Sequence, residues 1–324
     1  MTSEPKSVLE IRDLRTRFDL HEGSIEVVRG VDLSIVEGEM LGLIGESGSG
    51  KTVTGLSILR LLPPNAHLSS AVLRFANVEL QGLSDRQFQS LRGRRLAMIF
   101  QNPMGAFNPA KRVDWHLREV IRTRERSDAA WSDLATTALR TVGIPRPERV
   151  LRLYPHQLSG GMAQRILIAM VLALEPDLVI ADEPTTNLDN IVERQILGLF
   201  RRLQTRLRAA FLFITHDMTL AAALCNRIAV MYAGKIVEIG PTRQVFEAPR
   251  HPYTQGLIAT ATALKTRAAR LKEIAGDPPN LANPPPGCPF SPRCAQVMER
   301  CRATEPPMFG PAQHQARCFL GESA

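Results

Sequence analysis

Residues Gly45-Glu46-Ser47-Gly48-Ser49-Gly50-Lys51-Thr52 fit the pattern G-x-x-x-x-G-K-[ST], and no other stretch limits the fold as much. A loop of this kind aims backbone N–H groups at phosphate oxygens, places its lysine on the β/γ phosphates and offers its Ser or Thr hydroxyl to Mg²⁺. It requires a strand before it and a helix after it. Met40-Leu41-Gly42-Leu43-Ile44 is a compact apolar run that supplies the strand, and a helix is expected from Lys51 to Leu62, stopped by Pro63-Pro64. The loop marks a nucleoside triphosphate site without saying what hydrolysis is for.

The rest of the chain repeats the strand–helix theme. Residues 8–14 and 26–37 alternate apolar and polar (Val8, Leu9, Ile11; Val27, Val28, Val31, Leu33, Ile35), which predicts half-buried antiparallel strands. Leu96–Phe100, Asp177–Ala181 and Phe211–Thr215 read as buried strands, and 103–155 as helical with charged faces. Buried strands alternating with helices predict a largely parallel sheet, whose chemistry gathers at the strands' carboxyl ends. Gln101, Asp182, Glu183 and His216 all fall there. Beyond Gly240 the character changes: Gly276 to Pro292 holds seven prolines in 17 residues, which rules out an ordinary helix or central strand. No internal repeat is apparent.

Composition narrows the function. The longest clean apolar run, Ile166 to Leu174, has nine residues, about half of the roughly 18 that a membrane-spanning helix needs. Met1 to Asp13 is polar and mixed in charge, with no apolar signal region. The expectation is a soluble, cytosolic polypeptide unable to form a membrane channel alone. Lys and Arg exceed Asp and Glu by 40 − 32 = +8. Such a balance fits nucleic acid, anionic lipid headgroups or an anionic small ligand. The basic residues are scattered in short groups such as Arg92-Gly93-Arg94-Arg95 and Arg201-Arg202. That pattern reads as solvated surface plus a nucleotide site, with a lesser attraction to the negative cytoplasmic leaflet.

Asp182-Glu183 alone reads equally well as a solvated turn or as a functional pair. Beside a complete phosphate loop, an acidic residue closing an apolar strand reads as a Mg²⁺ holder, and Glu183 as the group that polarises the attacking water. Downstream of the phosphate loop stands Leu158-Ser159-Gly160-Gly161-Met162-Ala163-Gln164. With these motifs together the chain resembles the ATP-binding cassette family, whose cassettes work in pairs to drive transport. The resemblance implies an α/β P-loop NTPase (RecA-like) fold. Its ATP-binding core with an antiparallel β subdomain would occupy 1–102 and 158–240, a helical subdomain 103–157, and a Pro/Cys-rich C-terminal extension 241–324.

The same resemblance distributes roles. Gly45, Glu46, Ser47, Gly48, Ser49, Gly50, Lys51 and Thr52 would cradle ATP, with Thr52, Gln101 and Asp182 around Mg²⁺. Gln101-Asn102-Pro103 looks like the Q-loop, which links hydrolysis to the membrane partner. Ser159, Gly160 and Gly161 match the signature loop that contacts the γ-phosphate held by the opposite cassette. Leu188-Asp189 matches the D-loop at the dimer seam, His216 the switch histidine, and Phe18 the aromatic residue that stacks on adenine. The catalytic set is Glu183, His216 and Gln101. Asn187, Asn190 and Ala163 depart from the usual pattern without removing a catalytic group.

One phosphate loop and one signature loop in a chain cannot complete a composite site, so the active unit is expected to be a dimer. The resemblance implies a second, non-identical cassette subunit, two membrane permease subunits and an extracytoplasmic binding protein, with this chain peripheral on the cytoplasmic face of the inner membrane and no nucleic acid partner. His251-Pro252-Tyr253-Thr254-Gln255-Gly256-Leu257 and Gly287-Cys288-Pro289-Phe290-Ser291-Pro292-Arg293-Cys294 look like the tail of dipeptide/oligopeptide importer ATPases. That branch also holds nickel, opine and glycoconjugate importers. A soluble DNA- or ribosome-associated cassette ATPase is disfavoured by the absence of a second cassette or a long coiled-coil insertion.

Cys288, Cys294, Cys301 and Cys318 lie within 31 residues, separated by five, six and sixteen. A disulfide framework does not suit a cytosolic chain, and the C-x-x-C pairs of zinc ribbons and ferredoxins are absent. Spacing leaves metal ligation and unligated thiols both open. The resemblance places a [4Fe–4S] cluster above zinc, because some peptide-importer cassettes carry one in this tail. Cys225, beside the apolar Ala221–Leu224, reads as core.

Overall fold

The computed structural model describes residues 6–21, 23–124, 131–186, 188–266 and 274–322. Two compact units form, one from Met1–Val8, Ile35–Glu39 and Glu79–Leu212, the other from Leu9–Ser34, Met40–Val78 and Phe213–Ala324.

From Leu9 onward, strand β1 (Ser7–Leu20) belongs to the second unit. It buries Leu9 and Ile11, then Leu14 and Thr16, two period-two runs whose phase slips by one residue at Arg12-Asp13, both exposed, where Asp13 is left-handed at φ 50°. It outruns the expected 8–14 because its second half gains its own partner. β2 (Gly23–Val36) follows, then β3 (Met40–Ile44), buried throughout, and α1 (Lys51–Ile58). β4 (Ala66–Ser69) pairs antiparallel with β1 at Arg15 to Phe18, while β5 (Val72–Phe75) takes Leu9 to Arg12. With β6 (Val78–Glu79) these make an antiparallel sheet in the order β2-β1-β5-β6, β4 lying off that path.

Helix α1 is shorter than predicted, and the prolines do not end it. Leu61 N–H bonds to the Leu56 carbonyl (2.9 Å) and Arg60 N–H to Ser57 (3.1 Å), with Arg60 left-handed at φ 49°. That is a Schellman closure, which glycine usually fills. Pro63 and Pro64 only prevent the chain from resuming a helix.

The other unit holds α2 (Asp85–Leu91), β7 (Leu96–Ile99), α3 (Val113–Arg124), α4 (Trp131–Thr141), α5 (Pro147–Val150), α6 (Gly160–Ala173), β8 (Leu178–Asp182) and α7 (Asn190–Leu207). Ser84 and Gln87 start α2 with a reciprocal capping box. The nine-residue apolar run is the body of α6. Ile166, Leu167, Ile168, Ala169, Val171 and Leu172 are all buried, so more than one face of this helix is covered by protein. β7 and β8 pair in parallel, Met98 opposite Ile180, as the buried-strand reading requires. β9 (Ala210–Thr215) contributes Ala210–Leu212 to this unit and Phe213–Thr215 to the other.

The second unit resumes with α8 (Met218–Leu224), β10 (Arg227–Tyr232), β11 (Lys235–Pro241), α9 (Thr242–Glu247), α10 (Pro252–Thr266), α11 (Glu299–Ala303) and β12 (Gln315–Ala316). β10 is parallel to β3 but antiparallel to β11, and β11 is antiparallel to β12, so the expected parallel sheet carries an antiparallel margin. The proline-rich stretch from Gly276 to Phe290 has neither helix nor strand. Glu238 on β11 is fully buried and accepts from the N–H groups of Arg250 and His251 and from His314 Nε2, each at 2.8 Å. Three hydrogen bonds to one carboxylate satisfy it and pin the C-terminal segments to the strand. Among the described residues, no helix is long and apolar enough to cross a membrane.

Candidate functional site

The loop between β3 and α1 has the geometry of an anion cradle. Gly48 and Gly50 are left-handed, at φ 78° and 104°, a conformation that turns successive N–H groups toward one concavity. A side chain at Gly50 would meet the Val27 carbonyl at 2.8 Å, and one at Gly45 the Met231 carbonyl at 2.1 Å. Lys51, only 5% exposed, donates from Nζ to the carbonyls of Gly45 and Glu46 at 2.8 Å each, and reaches Ser49 Oγ at 3.4 Å. Ser47 and Gly48 are exposed, and Thr52 occupies an exposed position of the first helical turn. Hydroxyl and carboxylate oxygens are the hard donors that suit Mg²⁺.

In the other unit, Asp182 is the last residue of β8 rather than the first beyond it, and is 3% exposed. Glu183 adopts φ 42°, a left-handed conformation rare for a glutamate. Its Oε2 accepts from Gln101 Nε2 at 3.0 Å and from Thr186 Oγ1 at 2.8 Å. The structure thus joins Gln101 to Glu183, two residues 82 positions apart that the sequence placed at separate strand ends. Thr186 was not anticipated. Its signal was its place at the end of Asp182-Glu183-Pro184-Thr185-Thr186, where a hydroxyl can reach back to the carboxylate.

Ser159 and Gly160 are exposed at the start of α6, and Ser159 Oγ caps the helix by accepting from Met162 N–H at 3.3 Å. The 14-residue helix directs its positive end at this loop. A side chain at Gly160 would meet nothing within 4 Å, whereas one at Gly161 would press on Val192 at 2.9 Å. Ala163 is buried, so the departure noted there serves packing; Asn187 lies outside the described residues. Asp189 caps α7, its Oδ1 accepting from Ile191 and Val192 N–H at 3.0 Å each, and remains exposed. His216 is exposed immediately after β9, and Asp217 caps α8. Phe18 is half-buried on β1, paired in register with Ala66.

Cys288, Cys294, Cys301 and Cys318 line one small cavity of about 20 Å³ together with His251 and Phe290. That volume is on the scale of a single water molecule. All four thiols are free, and burial pushes Cys288 up to about 11 and raises Cys294 and Cys318 as well. Among the described residues, no group of three or more His, Cys, Asp or Glu is arranged to hold a metal ion. The donor set suits iron or zinc, but its present placement does not form a site. Cys225 is buried core, with its thiol pushed up to about 12 by burial.

Two side chains that sequence reasoning quoted without a role, Tyr253 and Arg293, reach the phosphate loop. Tyr253 Oη accepts from Glu46 N–H at 2.8 Å, and Arg293 forms a two-pronged ion pair with the Glu46 carboxylate.

Residues 28–186 match the ABC transporter family, and 237–301 match the oligopeptide/dipeptide transporter C-terminal region. The dipeptide transport ATP-binding protein DppD of Bacillus subtilis (strain 168) is 43% identical over 318 residues, covering 97% of this chain and 95% of that protein. The oligopeptide transport ATP-binding protein OppD of the same organism is 43% identical over 93% of this chain and 85% of its own length. Among solved structures, CbiO1 from Clostridium perfringens, part of the ABC transporter complex CbiONQ, superposes with a TM-score of 0.64 at 25% identity, covering 76% of this chain and 92% of its own. The ATP-binding cassette MJ0796, in a dimeric post-hydrolysis state bound to ADP and Pi, gives 0.66 at 24% identity over 72% of this chain and 99% of its own, a likeness of fold.

Proposed function

Because the chain belongs to the dipeptide/oligopeptide branch of ABC transporter ATP-binding subunits, and is therefore an ABC-type ATPase, we propose that it powers uptake of di- and oligopeptides. ATP binding closes a cassette dimer, hydrolysis reopens it, and the motion is passed to membrane subunits. The near end-to-end likeness to a dipeptide transport subunit, tail included, carries this reading.

The roles are assigned by motif. Lys51 and the loop N–H groups hold the phosphates, while Thr52, Asp182 and Gln101 supply oxygen ligands for Mg²⁺, which neutralises phosphate charge when bound. Glu183 accepts a proton from the attacking water, a service worth about 10² to 10⁴ in rate. The Gln101 bond to Glu183 supports a shared task for those two residues. His216 responds to the γ-phosphate and Phe18 stacks on adenine. Ser159, Gly160 and Gly161 address the nucleotide of a partner cassette across a seam that includes Asp189.

The assembly consists of this chain, a non-identical second cassette, two permease subunits and an extracytoplasmic binding protein, with the cassettes peripheral on the cytoplasmic face of the membrane. The core spans 1–102 with 158–240, the helical part 103–157 and the extension 241–324. A [4Fe–4S] cluster on Cys288, Cys294, Cys301 and Cys318 is part of the same reading and rests on the family resemblance alone, the cavity the four thiols share being on the scale of one water molecule. Loading it would require the thiols to deprotonate. An anaerobic preparation with iron and brown absorbance that Cys294→Ala abolishes supports the cluster; a colourless, iron-free preparation removes it.

Reconstitution in vesicles with the permeases and the binding protein encoded alongside tests the function. ATP-dependent accumulation of a labelled dipeptide is expected. Uptake of a nickel chelate or an opine with no peptide uptake would overturn the solute assignment.

A further inference from the structure

Glu46 is held at three points. Its N–H donates to the Tyr253 hydroxyl at 2.8 Å, and its carboxylate takes Arg293 Nη1 and Nη2 at 2.7 and 3.1 Å. Its carbonyl accepts from Lys51 Nζ at 2.8 Å. The residue thus connects the ammonium meant for the phosphates to two side chains from the C-terminal segments, Arg293 being 247 positions away.

The grip is rigid. The Arg293 side chain is only 5% exposed and also donates to the carbonyls of Ile274 (3.1 Å) and Ala275 (3.0 Å) and to the Tyr232 hydroxyl (3.3 Å). Its guanidinium carbon lies 5.8 Å over the Tyr232 ring and 6.0 Å over that of Phe290. The rings of Tyr232, Tyr253 and Phe290 are 4.6 to 5.4 Å apart. A guanidinium so enclosed has little freedom to follow a moving partner, and a planar fork on a carboxylate fixes direction as well as distance. It also neutralises a carboxylate inside a loop that must receive a triphosphate.

We propose that Arg293 and Tyr253 are positioning residues that set the conformation and charge of the phosphate loop through Glu46. The C-terminal segments are then part of the ATP-binding device. This rests on the reading of the loop as the ATP site.

The test is calorimetric titration of the purified full-length chain with MgATP, with Lys51→Ala as the control. Loss of a buried charge-assisted pair corresponds to about tenfold weaker binding for Arg293→Ala, and Tyr253→Phe should lose about threefold. Arg293→Lys, which keeps the charge without the fork, should stay near Arg293→Ala. Because the pair acts through one contact, Glu46→Gln added to Arg293→Ala should weaken binding no further. In the assembled ATPase, the KM for ATP should rise while kcat stays within about twofold, the mark of lost uniform binding. If Arg293→Ala folds and binds ATP as the parent does, or if its effect adds fully to that of Glu46→Gln, the proposal is overturned. Should Arg293→Ala not fold, the milder Glu46→Gln decides: unchanged affinity rejects the latch and weaker affinity upholds it. ATP binding that survives Lys51→Ala would instead overturn the reading of the loop itself.

Discussion

The phosphate loop and the signature loop are both glycine-rich turns that open a helix, yet they are built for opposite ends. The first is braced at its base. Met231 and Val27 leave no room for a side chain at Gly45 or Gly50, and Tyr253 and Arg293 brace Glu46 from far along the chain. The second is exposed at Ser159 and Gly160, held chiefly by a local cap, with open space where a side chain at Gly160 would go. The phosphate loop is braced at Gly45, Glu46 and Gly50 and open at Ser47 and Gly48. The signature loop lies open at the positive end of its helix.

Substitutions that exploit this difference should have very unequal effects. Gly45→Ala drives a methyl to 2.1 Å from the Met231 carbonyl and should abolish ATP binding with a loss of several kcal/mol in stability, on the order of a severe core overpacking. Gly160→Ala should leave the melting temperature within about 2 °C, since alanine is the better helix former, yet lower turnover of the assembled complex. A Gly160→Ala chain that unfolds, or a Gly45→Ala chain that binds ATP normally, would erase the contrast.

Glu183→Gln should reduce hydrolysis by about 10² to 10⁴ while nucleotide binding survives, because the Gln101 and Thr186 contacts belong to the carboxylate pair and not to the phosphate loop. Undiminished turnover in the reconstituted complex would contradict the base assignment.

Acid should weaken the braced side. His251 is buried and its imidazole is pushed down to about 3 by that burial, while Nδ1 accepts from Tyr253 N–H at 3.0 Å. The unfolded chain takes this proton first, near the ordinary value of about 6.5. Stability is therefore unaffected above about pH 6.5 and falls as pH drops from there toward 3, by at most about 1.4 kcal/mol per pH unit. Denaturant titrations at stepped pH should show that slope in the parent chain and lose it in His251→Asn. The smallest effect belongs to the open loop: Ser159→Ala, which removes a cap, should cost about 1 kcal/mol, measured the same way at neutral pH.

These two loops also show what a linear reading can reach. Strand, loop and helix around Lys51 were legible because each signal is local and periodic. The antiparallel character of β1 was legible from alternation over 8–14, but its pairing with β4 and β5 was not, because those short strands carry too few residues to show a period. The end of α1 was misjudged because Arg60 takes a left-handed position usually announced by glycine, so the visible prolines drew the boundary too late. Glu183 hides its unusual backbone for the same reason. Tyr253 and Arg293 were legible as family marks but not as braces, since nothing in their neighbourhoods points to a glutamate more than 200 residues upstream. The four cysteines stood out by their closeness in sequence, and the cavity they line could not be foreseen because it depends on how a proline-rich segment without helix or strand is laid down.

The central claim is that this chain carries half of each ATP pocket and is idle until it meets another cassette. Turnover per cassette should be measured on the purified chain across a dilution series, with oligomeric state recorded at every point, and again in the assembled complex. The account predicts negligible hydrolysis wherever the chain is monomeric and full rates only in the assembly. A verified monomer that hydrolyses ATP as fast as the complex would contradict it.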